Sequence, residues 1–297
     1  MKYIRILIVS GCLSLSACGS DDSSSDVPQP VNEPKAVDIV TRAENVPQGN
    51  QVKAGLYMVN YVDGRQSALL PEQNYVNNQL LFWTSSGWTT STPIYWNDDM
   101  TRADFYGYAP YQPDVTDSRQ LNFSIQTDQT TTDGFANSDF LWGKVEGQLP
   151  TNGSFNLNLN HLLSMMTVTV TRESGFDDGD FQASDVRVTF GGSKTSCSID
   201  LATGNVTATG SANDVKFLSV GDLTYKAVLI PQQVPFSNLI TVDWRGNIYT
   251  LQNSYRLEPG RQYNININLK KTKSGFDIGI VGWDIIGENF GGTIGGD

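Results

Sequence analysis

Along much of the chain, apolar and polar side chains alternate at every second position. Leu121, Phe123 and Ile125 are separated by Asn122 and Ser124, and Phe155, Leu157 and Leu159 by Asn156 and Asn158. Thr167-Val168-Thr169-Val170-Thr171 and Val186-Arg187-Val188-Thr189-Phe190 repeat the pattern. Tyr263-Asn264-Ile265-Asn266-Ile267-Asn268-Leu269 puts its apolar residues on one parity and three asparagines on the other. A period of two sends successive side chains to opposite faces, so each segment predicts a strand with one face on a core. Turn chemistry separates the segments: Asp63-Gly64, Asp133-Gly134, Asn152-Gly153, Asp177-Asp178-Gly179-Asp180, Gly191-Gly192 and Pro259-Gly260. No long stretch carries helical periodicity; residues 160–166 have room for one helical turn. Many short strands with little helix predict an all-β chain of the sandwich type. At 297 residues the chain is long for one sandwich, so two in tandem are expected. The polar stretch 173–180 is the predicted joint, giving an N-terminal sandwich over 37–174 and a C-terminal one over 175–286.

The two ends break the pattern. Lys2 and Arg5 precede an apolar run over residues 6–15. About twenty residues are needed to span a bilayer as a helix, so this run predicts a secretion signal. It closes on Leu15-Ser16-Ala17-Cys18, which resembles the lipobox of bacterial lipoproteins. That resemblance implies removal of residues 1–17 and acylation of Cys18. Each buried CH₂ of an acyl chain contributes about 0.8 kcal/mol, so two or more chains anchor a protein durably at a membrane. Residues 18–36 read as a flexible tether, rich in Ser, Asp and Pro and too poor in apolar residues to build a core. Asp21 and Asp22 either resemble a surface-export signal of Bacteroidota lipoproteins or simply solvate the tether. Residues 287–297 form a Gly-rich tail, able to extend as a strand against another chain.

Composition narrows the functional classes. Net charge is −11, and loss of Lys2 and Arg5 with the signal takes it to −13; this argues against nucleic acid or anionic headgroups as partners. Of the three cysteines, Cys12 leaves with the signal and Cys18 takes lipid, so Cys197 stands alone, expected as a small packed side chain. His161 is the only histidine and shares parity with Leu157 and Leu159, which predicts a partly buried structural role. No Gly-x-Ser-x-Gly elbow, His-cluster metal motif, phosphate loop or dinucleotide fingerprint is present. Asp177, Asp178 and Asp180 lack an EF-hand's spacing and read as a solvated turn. The expectation is a protein that is not an enzyme and needs no cofactor or metal. Trp83, Trp88, Tyr95 and Trp96 fall in a Thr- and Ser-rich stretch; core packing is the commoner use of such aromatics, and stacking on glycans is the alternative.

Several motifs together resemble the fimbrillin-like (Mfa-like) proteins of Bacteroidota, subunits and relatives of the type V pilus. They are Asp104-Phe105-Tyr106-Gly107-Tyr108-Ala109-Pro110-Tyr111, then Asp139-Phe140-Leu141-Trp142-Gly143. Next come Phe155-Asn156-Leu157-Asn158-Leu159-Asn160-His161-Leu162-Leu163-Ser164 and Tyr225-Lys226-Ala227-Val228-Leu229-Ile230-Pro231-Gln232. Leu257-Glu258-Pro259-Gly260-Arg261-Gln262-Tyr263 and a late Trp283 complete the series. The resemblance implies two tandem transthyretin-like β-sandwich domains following the signal peptide and tether. It also implies a pilus subunit or surface adhesin at the cell outer membrane. In polymerising relatives, a protease cuts after an Arg or Lys near the N-terminus and removes the first strand, and a neighbouring subunit fills the groove with a strand of its own. Arg42, after the strand-like run 37–41, is the implied processing point. The implied donor is residues 276–286 or the tail, with other pilus subunits as partners; the alternative for 276–286 is the last strand of the second domain's own sheet. A non-polymerising surface lipoprotein that binds glycan or protein is the alternative function.

Overall fold

A computed structural model of the chain describes residues 34–40, 53–84, 87–172, 182–272 and 275–286. In chain order the elements are β1 (Ile39–Val40), β2 (Lys53–Asn60), β3 (Val76–Thr84), β4 (Gly87–Thr89), β5 (Ala103–Ala109), β6 (Leu121–Ser124), α1 (Thr132–Ala136), β7 (Leu141–Gln148), β8 (Phe155–Asn156), β9 (Asn160–His161) and β10 (Ser164–Arg172). There follow β11 (Val186–Asp200), β12 (Asn205–Lys216), β13 (Leu218–Gly221), β14 (Thr224–Leu229), β15 (Gln232–Trp244), β16 (Asn247–Leu257), β17 (Gln262–Thr272) and β18 (Gly275–Ile286). The architecture is all-β, with α1 a single helical turn and a bit.

The alternating segments become strands with the expected faces. In β17, Tyr263, Ile265, Ile267 and Leu269 are buried while the asparagines between them are partly exposed. β10 buries Met166, Val168 and Val170, and β11 buries Val186, Val188 and Phe190. Two sheets close on these side chains. One has the order β13-β14-β10-β17-β18; the other is β12-β11-β15-β16, with β6 also paired to β11. Each fully buried aliphatic side chain contributes roughly 1.5–3 kcal/mol relative to exposure, so this shared interior dominates the stability.

A six-stranded sheet, β4-β3-β2-β5-β7-β9, lies earlier in the chain. Its central strands β2 and β5 show no alternation, because both faces are covered. Leu56, Met58 and Phe105 join one apolar cluster with Ile39, Trp88, Trp96, Leu157 and Leu159. Tyr57, Tyr106 and Tyr108, on the other face, belong to the large cluster that runs on through Phe123 and Phe140 to Leu269. The Leu157–Leu159 segment lies directly on the sheet. Gly107 of β5 and Gly143 of β7 are paired opposite each other; a methyl group on Gly107 would strike Leu157 and Leu159, and one on Gly143 the Asn158 carbonyl.

Three placements differ from the sequence reading. The space for a helical turn at 160–166 is taken by β9 and the start of β10, while the helical turn falls at α1, where Thr131 Oγ1 accepts from Gly134 N at 3.0 Å. β10, ahead of the predicted joint, pairs with β14 and β17 and not with the six-stranded sheet. β6 likewise pairs across to β11. The predicted joint, residues 173–180, lies outside the described residues.

Candidate functional site

The first described segment is held between two others. Val37 N donates to Ile94 O at 2.8 Å and Trp96 N to Lys35 O at 3.0 Å, an antiparallel edge centred on the Ala36–Tyr95 bridge. One residue later the segment turns its bonding to the other side: Phe155 N donates to Asp38 O at 3.1 Å, and β1 runs parallel to β8. Alternation explains the grip. Ile39 is buried and Val37 packs partly against the same cluster, over Leu56, Trp96 and Phe105. The rings of Trp96 and Phe155 each approach Phe105, at 5.4 Å and 4.5 Å between centroids. Lys35 adds an exposed ion pair to Asp99 at 2.8 Å. Taking this segment away would leave Ile94 O and Phe155's flank without main-chain partners and uncover an aromatic-lined trough. Unpaired strand edges of this kind are templates for another chain.

At the opposite end of the chain, β18 is an edge strand, antiparallel to β17 from Gln262↔Ile286 to Thr272↔Gly275 with one bulge. Residues 276–286 therefore pair within the chain's own sheet, as the last strand among the described residues.

The motif residues cluster where the six-stranded sheet meets the following strands. Phe140 stacks on Tyr108 and meets Phe123 edge-on, at 5.8 Å and 5.0 Å. Trp142 Nε1 donates to Leu201 O at 2.8 Å. Leu162 N donates to Phe140 O at 2.8 Å, Gly260 N to Leu163 O at 3.2 Å, and Ser164 Oγ to Glu258 O at 2.8 Å. Gln232 fastens the β14–β15 corner by donating to Ile230 O, Lys194 O and Ser193 Oγ. These residues fix a joint.

His161 lies at this joint, its Nδ1 at 2.7 Å from Asp139 Oδ2. Burial disfavours the imidazolium, but the hydrogen bond and negative charge of Asp139 outweigh it, and the His161 pKa lies above its usual value. Ser164, at the start of β10, donates its hydroxyl proton to Glu258 O. Cys197 is buried among apolar side chains, and burial pushes its thiol up to about 12; the reactive thiolate is scarce at neutral pH. Among the described residues no group of three or more His, Cys, Asp or Glu side chains could hold a metal.

The aromatic stretch divides. Trp88 and Trp96 are buried in the core, and the backbone of Trp83 pairs with Trp88 in the β3–β4 hairpin. Tyr95 is 43% exposed and Tyr75 48%; both line an open groove with Asn77, Gln79 and Pro93. Tyr75 and the two amides carried no alternation or motif signal that marked them in the sequence. Cys18, Asp21, Asp22, Arg42, Asp177, Asp178, Asp180 and the tail 287–297 lie outside the described residues.

The strands and the joint define an all-β protein of the sandwich type. Its family follows from comparison. A family model described as fimbrillin-like matches residues 41–283, and the chain belongs to that family of fimbrial and adhesion proteins. Fim1C of Bacteroides ovatus, a candidate fimbrium tip subunit, is 26% identical over 134 residues, 41% of this chain. The match spans 23% of that relative's length. Among solved structures, a candidate cell adhesion protein from Bacteroides uniformis superposes with TM-score 0.65 at 16% identity, covering 86% of this chain and 99% of the other. One from Bacteroides ovatus gives 0.62 at 16% identity, with 85% and 97% covered. A fimbrial protein from Bacteroides vulgatus gives 0.51 at 11% identity, with 84% and 99% covered.

Proposed function

We propose that the chain is a lipid-anchored subunit or adhesin of a surface fimbrium that acts by strand complementation. Cys18 carries the lipid that holds the uncleaved chain at the outer membrane, and residues 18–36 are the tether. The body divides into two sandwich domains, and cleavage after Arg42 releases the first strand. The observation that carries this reading is the N-terminal segment bridging Ile94 and Phe155 over the cluster of Leu56, Trp96 and Phe105. A cut after Arg42 frees that segment as a unit, and a strand from another subunit would recover the same main-chain bonds and refill the Ile39 position. Because β18 is paired along its length with β17, the tail 287–297 is the preferred donor. N-terminal sequencing of the protein from surface material tests this. Chains beginning at Ala43 within filaments support it; chains that all begin at a blocked Cys18, with no filaments, overturn the polymerising role.

The exposed Tyr75 and Tyr95 favour a second reading, a surface lipoprotein that binds neutral glycan. Among the described residues the groove they line contains amides and no ionised side chain, which suits stacking and hydrogen bonding to an uncharged sugar. A polysaccharide panel separates the readings: binding lost in Tyr95→Ala, by uncleaved monomer, supports the second, and no binding to any member sinks it.

A further inference from the structure

A cavity of about 500 Å³ opens where α1 folds against the sheet that contains β10 and β14. It lies outside the N-terminal groove and the tyrosine groove. Strand alternation explains its chemistry. Met166, Val168, Ala227 and Leu229 turn into the core, so the paired residues Met165↔Val228 and Thr167↔Lys226 face the other side. Along most of its length that side is polar, carrying Thr167, Thr169, Asn264 and Asn266. At the Met165–Val228 end it turns apolar, and there Phe135 and Ala136 of α1, with Leu163, complete the wall.

Two opposite charges line the cavity, Asp139 and Lys226, and they are not joined to each other. Asp139 is engaged by His161 at 2.7 Å. Lys226 Nζ sits 4.4 Å above the centre of the Phe135 ring, and among the described residues no carboxylate lies within ion-pair distance of it. Cation–π contact holds the ammonium in place without neutralising it. On a chain of net charge −11, a partly buried cation beside an apolar wall marks a place for an anion with an apolar body. The volume falls within the range of small-molecule sites, which are mostly apolar with a few fixed polar groups.

We propose that this cavity binds a small amphipathic carboxylate, a medium-chain acyl carboxylate, with its head on Lys226 and its chain against Met165, Val228, Leu163 and Phe135. Charge selects the head, and the wall selects the chain.

Octanoate is the probe, titrated into the full chain carrying ¹³C-methyl methionine. Met165 lines the cavity, whereas Met58 and Met166 are buried in the cores and Met100 is 83% exposed. The expected result is a saturable shift of the Met165 methyl alone, with octanol at least tenfold weaker. Lys226→Met should cost about tenfold in affinity and Lys226→Arg should restore most of it, with the thermal midpoint of each variant confirming that it folds. Ala136→Phe should fill the cavity and abolish the shift. Octanol binding as tightly as octanoate, Lys226→Met binding like the parent, or no Met165 shift at millimolar octanoate would each overturn the assignment.

Discussion

The side-chain amide of Gln129 pairs with the backbone of Val228 as a neighbouring strand would. Its Oε1 accepts from Val228 N at 2.9 Å and its Nε2 donates to Val228 O at 2.8 Å, with a further bond to Gln126 O. Gln129 is fully buried, and β14 beyond its pairing with β13 borrows this amide to finish its edge. Gln129→Leu leaves a buried N–H and C=O unpaired, each costing about 1–3 kcal/mol. The expected outcome is a loss of about 3 kcal/mol, read as a lower urea midpoint with an unchanged slope.

The Asp139–His161 pair makes stability depend on pH in a defined direction. The folded pKa of His161 lies above its unfolded value of about 6.5. Its contribution is therefore complete below about pH 6.5 and disappears as pH rises through the folded value. Thermal melts of the parent and of Asp139→Asn should differ most near pH 6 and converge as pH rises through the folded value. A difference that grows with pH would contradict the pairing.

Gly143 meets the Asn158 carbonyl where any Cβ would stand. Gly143→Ala must push the Leu157–Leu159 segment off the sheet, an overpacking cost of about 1–3 kcal/mol. Gly153→Ala, at an exposed glycine with only the Thr151 hydroxyl nearby, should stay within about 0.5 kcal/mol. Denaturant titration of both variants compares them directly.

Cys197 should be silent towards a thiol reagent such as dithionitrobenzoate in the native protein and react fully in 6 M guanidinium. Its burial and raised pKa both suppress the thiolate. Fast labelling of the native state would show that β11 opens readily.

Ile39 anchors the N-terminal segment. Ile39→Ala removes a buried side chain, typically about 2–5 kcal/mol, from a segment that has few other bonds. Loss should therefore appear locally. Hydrogen exchange at the amides of Val37, Trp96 and Phe155 should rise by more than tenfold, while amides of β10 keep their protection.

Much of the sheet content was legible because one-faced strands write their burial into the sequence. Tyr263 to Leu269 by twos is one case, and Leu121 with Phe123 another. β2 and β5 carry no such signal: Leu56, Tyr57 and Met58 are consecutive and all buried, since a different layer covers each face. α1 was hidden because Asp133-Gly134 reads as a turn and five residues are too few for a helical period. Which strands pair is not a local property. Leu121 finds Ile199 and Ser164 finds Leu229 across long separations, so local composition at 173–180 carries no information on which strands pair across it. The motif residues were visible, yet their work in fastening the joint depends on contacts among distant segments. The structural partner of Lys226 and the exposure of Tyr75 were equally out of reach, because neither composition nor periodicity reports which side of a sheet a ring or an ammonium finally meets.

The apolar cluster that begins at Tyr57 and ends at Leu269 has no seam. Half-length fragments of such a chain would each expose one side of it and should aggregate, and calorimetry of the whole body should record a single cooperative transition. A load applied to one of the sheets around that cluster is accordingly borne by the others, so they yield together.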